Sequence, residues 1–168
     1  MTANAANAIG GVTYHKICAA DGRSDIVKSN LVEFSASTLT KLSNNLAACK
    51  LLLWDEISFG NASAVTELHR RMVAALRPAD SRNPPPFGGA SVLWCGDMLQ
   101  LGPRGRALWS TDQDRSIALN NRKFRNTSGT SKDFEGLLLW RLAKDVVFLE
   151  KQYRQKGILK QICQQMRS

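Results

Sequence analysis

Several features that would assign a function quickly are missing from this sequence. No G-x-x-x-x-G-K-[ST] motif occurs in the 168 residues, so they lack the glycine-rich loop and lysine that cradle phosphates in many nucleotide-binding proteins. The four cysteines form no CxxC pair, which argues against a zinc site and a disulfide framework. The apolar runs are far shorter than the ~20 residues of a membrane-spanning helix. The first residues show no secretory signal, so we expect an intracellular protein.

The positive charge of the chain is concentrated in two segments. The net charge is +9, from 23 Lys and Arg against 14 Asp and Glu. Residues 104–132 hold seven basic and two acidic residues, and residues 151–168 hold five basic and no acidic residue. Clustered positive charge suits a polyphosphate partner, because each neutralised phosphate releases counterions. Solvated faces and a basic tail would give the same counts, so charge alone leaves both interpretations open.

Apolar periodicity predicts helices that alternate with short buried strands. The predicted helices cover residues 38–48, 61–77, 134–142 and 158–166, and the predicted strands cover 50–54, 91–95 and 146–149. This alternation favours an α/β domain with a mainly parallel sheet flanked by helices. Residues 81–90 are typical of a connecting loop, and the polar residues 110–133 predict a flexible insertion. On the second helix, Arg70, Arg71 and Arg77 are expected to face water.

Acidic and amide side chains follow the first two predicted strands. Asp55 and Glu56 come directly after one, and Asp97 and Gln100 follow the other. The carboxyl ends of parallel strands meet at one edge of a sheet, where one acid can bind Mg²⁺, the next can polarise water and an amide can contact a phosphate. Each motif alone is also compatible with an ordinary turn in which Glu56 serves the next helix and Gln100 lies on the surface.

Four segments, taken in order, resemble the PIF-type, RecD-like DNA helicases of superfamily one. Residues 6–15 are similar to the motif after the Walker A helix, 51–58 to Walker B, 86–103 to the third motif and 137–155 to the fourth. The likeness runs over nearly the whole chain. It implies that residues 1–168 are an incomplete RecA-like P-loop NTPase domain, without the Walker A strand and without the second lobe.

The resemblance implies a role for each matching residue. Asp55 and Glu56 would bind Mg²⁺, and Glu56 would also activate the attacking water. Gln100 and Arg154 would contact the γ-phosphate of ATP. The position of Asp97 near Gln100, and not the resemblance, is what predicts that Asp97 orients the site. A further set would lie along the path of single-stranded DNA, namely Gly10, Gly11, Thr13 and His15. For His15 a purely structural role stays open.

The family couples hydrolysis of Mg-ATP to DNA unwinding in repair, recombination and telomere maintenance. We therefore expect a fragment of such a helicase, located in the nucleus or mitochondrion if eukaryotic, with single-stranded DNA or DNA junctions as partner. ATP binding by these residues should be weak, because nothing in them replaces the missing loop. QLGP stands where QLPP is usual, which loosens the turn after Gln100. The alternative is an inactive module that binds nucleic acid or a partner protein, and the oligomeric state is open.

Overall fold

The computed structural model describes residues 6–7, 10–19, 34–76, 82–98, 100, 102–103, 107–109 and 129–149, and the structural statements below refer to these residues. The helices are α1 (Tyr14–Ile17), α2 (Ala36–Leu46), α3 (Ala62–Leu76) and α4 (Gly129–Trp140), and the strands are β1 (Leu51–Trp54) and β2 (Ser91–Trp94). Two 3-10 turns cover Ile57–Phe59 and Pro86–Gly89. Because β1 and β2 pair in parallel, the predicted fold class, α/β with a parallel sheet flanked by helices, is confirmed.

The strand pair is covered on one face only. Leu51 lies opposite Ser91, and Trp54 lies opposite Trp94. Leu52 is buried, whereas Leu51 and Leu53 are 59% and 47% exposed. Side chains alternate between the two faces of a strand, so the exposed leucines share one face. The prediction that this strand is fully buried is therefore wrong for the part of the chain that the structure describes.

Helix α3 forms the centre of the core. Val65, Leu68 and Met72 are buried along one stripe, as the helical spacing predicts. The helix packs against α2, α4 and the Pro86–Gly89 turn. None of the described helices has the length and apolar character needed to cross a membrane.

Arg71 on α3 is buried, which corrects the expectation that it faces water. Its Nε donates to Glu67 Oε1 at 2.6 Å, one helical turn away. Its Nη1 donates to the carbonyl of Cys18, and its guanidinium lies 5.0 Å from the ring centroid of Phe34. A buried charge requires such partners. The apolar stripe of α3 could not reveal that its polar face is also covered, here by the residues after α1.

His69 and Arg70 connect α3 to its other neighbours. His69 Nδ1 accepts a hydrogen bond from the backbone N–H of Phe87 at 2.9 Å. Arg70, with 23% of its side chain exposed, donates to Glu135 of α4 at 2.6 Å, so the expectation that it faces water holds only in part. Burial lowers the pKa of His69, and the negative charge of Glu135 opposes this shift. The neutral imidazole is thus the form that fits the hydrogen bond to Phe87.

The third predicted strand is absent from the structure. Residues 146–149 form no strand, and their side chains are 69–92% exposed. A strand needs a hydrogen-bonded neighbour, and no described segment pairs with this one. An apolar run in a sequence cannot show whether such a neighbour is present.

The predicted boundaries of two helices also shift. Helix α2 begins two residues earlier than predicted, where Ser35 Oγ accepts the N–H of Thr38 at 3.2 Å. Helix α4 begins at Gly129, so residues 129–133 belong to a helix and not to the predicted insertion. The remainder of that insertion, the predicted helix over 158–166 and Arg77 lie outside the described residues.

Candidate functional site

The two acid-bearing segments meet at one edge of the sheet. Both strands end in a tryptophan, and the two tryptophans are paired in register. Hydrogen bonding continues past the strands, because Cys95 N–H donates to Trp54 O at 2.8 Å and Ile57 N–H donates to Cys95 O at 2.9 Å. The backbone of Asp55 and Glu56 is therefore held against the backbone that leads to Asp97.

A glycine allows this close approach. Gly96 has a φ of +156°, and a Cβ at this position would lie 2.8 Å from Ile57 N and 3.0 Å from Ile57 Cγ2. Both distances are too short for an unstrained side chain, and one of the blocking atoms belongs to the backbone. Glycine is therefore needed before Asp97, because the backbone at this position contacts the turn that follows Glu56.

Glu56 adopts a strained conformation at this edge. Its φ of 57° and ψ of 46° place it in the left-handed region, which costs a residue with a side chain about 1–2 kcal/mol. Its Oε2 is buried, and so is Oγ of the buried Ser58, and neither atom has a hydrogen-bond partner among the described residues. Unsatisfied buried oxygens and local strain are both concentrated at functional sites.

The acids at this edge fit a magnesium ion, which prefers oxygen ligands. Mg²⁺ is usually held by one or two carboxylates, with phosphates and waters completing the shell. The described residues contain no cluster of three or more metal-ligating side chains. Two adjacent acids, one with an unsatisfied oxygen, therefore suit a cation that is shared with a phosphate better than a cation held by protein alone.

Gln100 lies at the same edge as the acids. Its backbone N–H donates to the carbonyl of Asp97 at 3.2 Å, which closes a turn, and its side chain is exposed. The pKa of Cys95 also reflects how close the two segments are. Burial raises the pKa of the Cys95 thiol, and the negative charge of Asp55 raises it further.

The segment with the predicted DNA contacts lies beside the end of β1. Gly10 has a positive φ of 68°, and Gly11 N–H donates to Ala6 O at 2.8 Å. Thr13 caps α1, since its Oγ1 accepts the N–H of Lys16 at 3.4 Å, and His15 is exposed. The hydroxyl of Thr13 thus has a structural partner, while the imidazole of His15 is open to solvent.

Tyr14 anchors this segment, and sequence reasoning missed it. Its hydroxyl donates to the carbonyl of Ala64 on α3 at 3.0 Å, and its ring lies 5.1 Å from that of Trp54. Burial, the largest cause, raises the pKa of Tyr14 well above its usual value, so the hydroxyl stays a donor. The neighbouring Cys18 thiol, also buried, has a pKa raised to about 12. The presence of a tyrosine inside the N-terminal motif is the sequence signal that could have indicated this anchoring role.

A shallow depression joins the N-terminal motif to the acidic edge. Its lining includes Val12, Tyr14, Trp54 and Asp55. The aromatic contacts continue across the sheet, because the ring of Trp54 lies 5.5 Å from Trp94. The predicted nucleic-acid segment and the predicted nucleotide edge are therefore in direct contact through aromatic side chains.

Comparison with known proteins assigns the family. The sequence matches the family model described as PIF1-like helicase over residues 2–165. The chain belongs to the PIF1-like helicase family. No curated protein sequence matches it.

Three solved Pif1 structures are similar to the chain. One concerns DNA unwinding at forked double-stranded DNA by two coordinating Pif1 helicases, with 28% identity over 69% of this chain and a TM-score of 0.45. The others are Bacteroides Pif1 bound to single-stranded DNA, with 26% identity over 79% and a TM-score of 0.45, and Bacteroides Pif1 with ADP-AlF4, with 26% identity over 76% and a TM-score of 0.44. This chain spans 25–29% of the length of those proteins.

Family membership confirms the resemblance found in the sequence and the RecA-like α/β assignment of this lobe. Of the residues predicted to handle nucleotide, four lie at the carboxyl edge of β1 and β2, namely Asp55, Glu56, Asp97 and Gln100. Arg154 lies outside the described residues. The individual roles of all these residues remain predictions.

Proposed function

We propose that this chain is part of an ATP-dependent DNA helicase and that the edge formed by residues 55–57 and 95–100 is where the motor handles magnesium and phosphate. The hydrogen bond from Ile57 N–H to Cys95 O carries the proposal, together with the absence of a side chain at Gly96. An accidental pair of acidic turns has no need for this close contact. A site that must combine groups from two motifs around one phosphate requires it.

In this proposal the side chains at the edge have different tasks, and Glu56 has two. Asp55 and Glu56 would hold Mg²⁺, which would neutralise charge on the phosphates. The strained backbone of Glu56 fixes its carboxylate so that it can orient water towards the terminal phosphate. The amide of Gln100 contacts that phosphate and changes partners when it leaves. Arg154 is proposed to stabilise the developing charge.

The proposed DNA partner lies along the N-terminal motif. Gly10 is exposed and Gly11 is partly exposed, and His15 presents a ring to solvent beside the depression that leads to Asp55. Direct packing of Tyr14 on Trp54 supports coupling between DNA binding and the nucleotide edge. Single-stranded DNA or a DNA junction is the proposed ligand, because the chain has a net charge of +9.

A second function is favoured by one observation, the absence of G-x-x-x-x-G-K-[ST] from these 168 residues. Without that loop the chain by itself lacks most of the phosphate cradle, so it is expected to hydrolyse ATP very slowly if at all. The second candidate is therefore a catalytically inactive module that binds nucleic acid or a partner protein. The two candidates require different full-length proteins. Only the helicase requires a phosphate loop and a second lobe in the same protein as these residues.

Magnesium-dependent ATPase activity with and without single-stranded DNA tests the proposal. The assay compares the longest natural gene product that contains these residues with the 168-residue chain. DNA-stimulated hydrolysis by the longer product should fall at least about 100-fold in Glu56→Gln. The matched control is Glu135→Gln, which makes the same chemical change at an ion pair on α4.

Equal activity of wild type and Glu56→Gln would contradict the proposed role of the edge. A longer product that contains no phosphate loop, and that binds DNA without hydrolysing ATP, would favour the inactive module. Hydrolysis by the 168-residue chain alone, lost in Glu56→Gln, would refute the expectation that this chain is inert without the loop.

A further inference from the structure

Helix α1 carries part of the proposed DNA-contacting motif but cannot keep its shape by itself. It contains four residues, and none of them is fully buried. Isolated helices shorter than ~12–15 residues are marginally stable in water. The direction in which the exposed His15 faces must therefore be set by contacts between α1 and the rest of the chain.

Side-chain hydrogen bonds join both ends of α1 to helix α3. At its start, the hydroxyl of Tyr14 donates to the carbonyl of Ala64 at 3.0 Å. At its end, Nη1 of Arg71 donates to the carbonyl of Cys18, the residue that caps the helix. A cation suits this place, because the last carbonyls of a helix lack partners within it and carry partial negative charge. The position of α1 therefore depends on α3.

The backbone just after α1 is strained. Ala19 has a φ of 49°, in the left-handed region that residues with a side chain rarely adopt. Its N–H donates to the carbonyl of Lys16 at 3.1 Å, and this carbonyl also accepts from Asn45 of α2. Such strain persists only where the surrounding structure holds the backbone in place. Arg71 supplies part of that hold, because it binds the carbonyl that precedes Ala19.

Arg71 is itself fixed in one orientation. Its Nε donates to Glu67 Oε1 at 2.6 Å, and 10% and 3% of the two side chains are exposed. The planar guanidinium can bind Glu67 and Cys18 at once, since its N–H groups point in fixed directions. A buried ion pair is often no more stable than two apolar side chains of similar volume. The contact with Cys18 is what an apolar side chain could not provide.

Helix α3 also begins beside the nucleotide edge. It follows the 3-10 turn over Ile57–Phe59, and Asn61 caps its first turn. The side-chain oxygen of Asn61 accepts the N–H of Ala64 at 2.8 Å, and the carbonyl of Ala64 accepts from Tyr14. One helix therefore supports the N-terminal motif and continues directly from the turn after Glu56.

We propose that Arg71, held by Glu67, is a positioning residue that presets the N-terminal motif for binding single-stranded nucleic acid. This inference rests on the proposed function and gives a role in binding to a buried side chain that does not itself contact DNA. With Arg71 in place, α1 is ordered before the strand arrives, so binding need not order it. Without Arg71, α1 adopts the competent arrangement for part of the time, and the apparent affinity falls by that fraction.

Fluorescence anisotropy with fluorescein-labelled oligo-dT tests this role in the longest natural gene product that contains these residues. The decisive variant combines Arg71→Met with Glu67→Met, which keeps the net charge and leaves neither partner buried and unpaired. It should recover much of the melting temperature lost in Arg71→Met. It should nevertheless bind oligo-dT about 10-fold more weakly than wild type, because a hydrogen bond to a charged group changes an equilibrium by roughly that factor. A purely structural role would let affinity recover together with stability.

Arg70→Met is the matched control, because it makes the same substitution one position earlier on the same helix. Arg70 pairs with Glu135 of α4 and not with α1, so this variant should bind oligo-dT nearly as wild type does. A second comparison uses His15→Ala, which removes a proposed direct contact. It should weaken binding in wild type and have a smaller effect in the double variant, where the ring is no longer held in place.

Four results would overturn the positioning role. If the double variant binds oligo-dT as tightly as wild type while His15→Ala binds it more weakly, Arg71 is purely structural and the proposed function stands. If neither change weakens binding, the N-terminal motif does not contact DNA, and the proposed DNA contact fails as well. Equal losses in Arg70→Met and the double variant would show a general effect of removing an arginine from α3. Fully additive effects of His15→Ala and the double variant would show that Arg71 does not act through α1.

Discussion

Replacing Gly96 with alanine is expected to force apart the two segments that build the nucleotide edge. The added Cβ would lie 2.8 Å from Ile57 N, and this atom donates the hydrogen bond to Cys95 O. Since the blocking atom belongs to the backbone, rotation of a side chain cannot relieve the clash. The φ of +156° adds strain for any residue with a side chain.

The expected loss of stability follows from two terms. Breaking the hydrogen bond of a buried donor costs about 1–3 kcal/mol. Placing a side chain in an unfavourable backbone conformation costs about 1–2 kcal/mol. Gly96→Ala should therefore lower the free energy of unfolding by about 2–5 kcal/mol, a substantial part of the 5–15 kcal/mol typical of a domain. For a chain of this size the melting temperature should fall by roughly 4–20 °C.

Urea denaturation followed by circular dichroism measures this loss. The matched control is Gly102→Ala, because the nearest atom to a Cβ there is 3.8 Å away and belongs to a side chain. The control should stay within about 0.5 kcal/mol of wild type. If Gly96→Ala is as stable as Gly102→Ala, the close contact between the two segments does not exist in the protein.

Three further predictions concern the core around α3. Arg71→Met leaves the Glu67 carboxylate buried and unpaired, so urea denaturation should show a free energy of unfolding lower by about 3–5 kcal/mol. The double variant that also carries Glu67→Met should recover much of that loss. In Gly136→Ala the added Cβ would overlap the carbonyl of Ala62 on α3, so the variant should lower the free energy of unfolding by about 1–3 kcal/mol. A melting temperature equal to wild type would show that α3 and α4 do not pack this closely. Burial holds the pKa of His69 below its unfolded value of about 6.5, so the unfolded chain binds more protons near pH 6 and stability should fall as pH drops below about 7. His69→Asn keeps an acceptor for the Pro86–Gly89 turn and should flatten this dependence between pH 5 and 8.

The spacing of apolar residues in the sequence predicted the helices and strands that depend on neighbouring residues alone. The spacing of Val65, Leu68 and Met72 was sufficient for α3, since an amphipathic stripe specifies a helix and its buried face. The two apolar runs ending in acids were sufficient for β1 and β2 and for the edge where their motifs meet. Family resemblance added roles that no spacing could supply.

Contacts between distant residues explain what the sequence could not predict. The burial of Arg71 depends on the Cys18 carbonyl, 53 residues away, and on Phe34. Residues 146–149 have the composition of a strand, but pairing depends on a neighbour and not on composition. The left-handed backbone of Glu56 is likewise set by the turn packed against Gly96, and acidic residues give no local signal for it.

In the proposed site, the acids after β1 and the residues after β2 lie around one cation. Paramagnetic broadening by Mn²⁺, a substitute for Mg²⁺, tests this directly in the amide spectrum of the ¹⁵N-labelled chain. The signals of Asp55, Glu56, Asp97 and Gln100 should broaden together as Mn²⁺ is raised, while those of residues 146–149 stay sharp. Broadening confined to one of the two segments, or spread evenly over the chain, would contradict it.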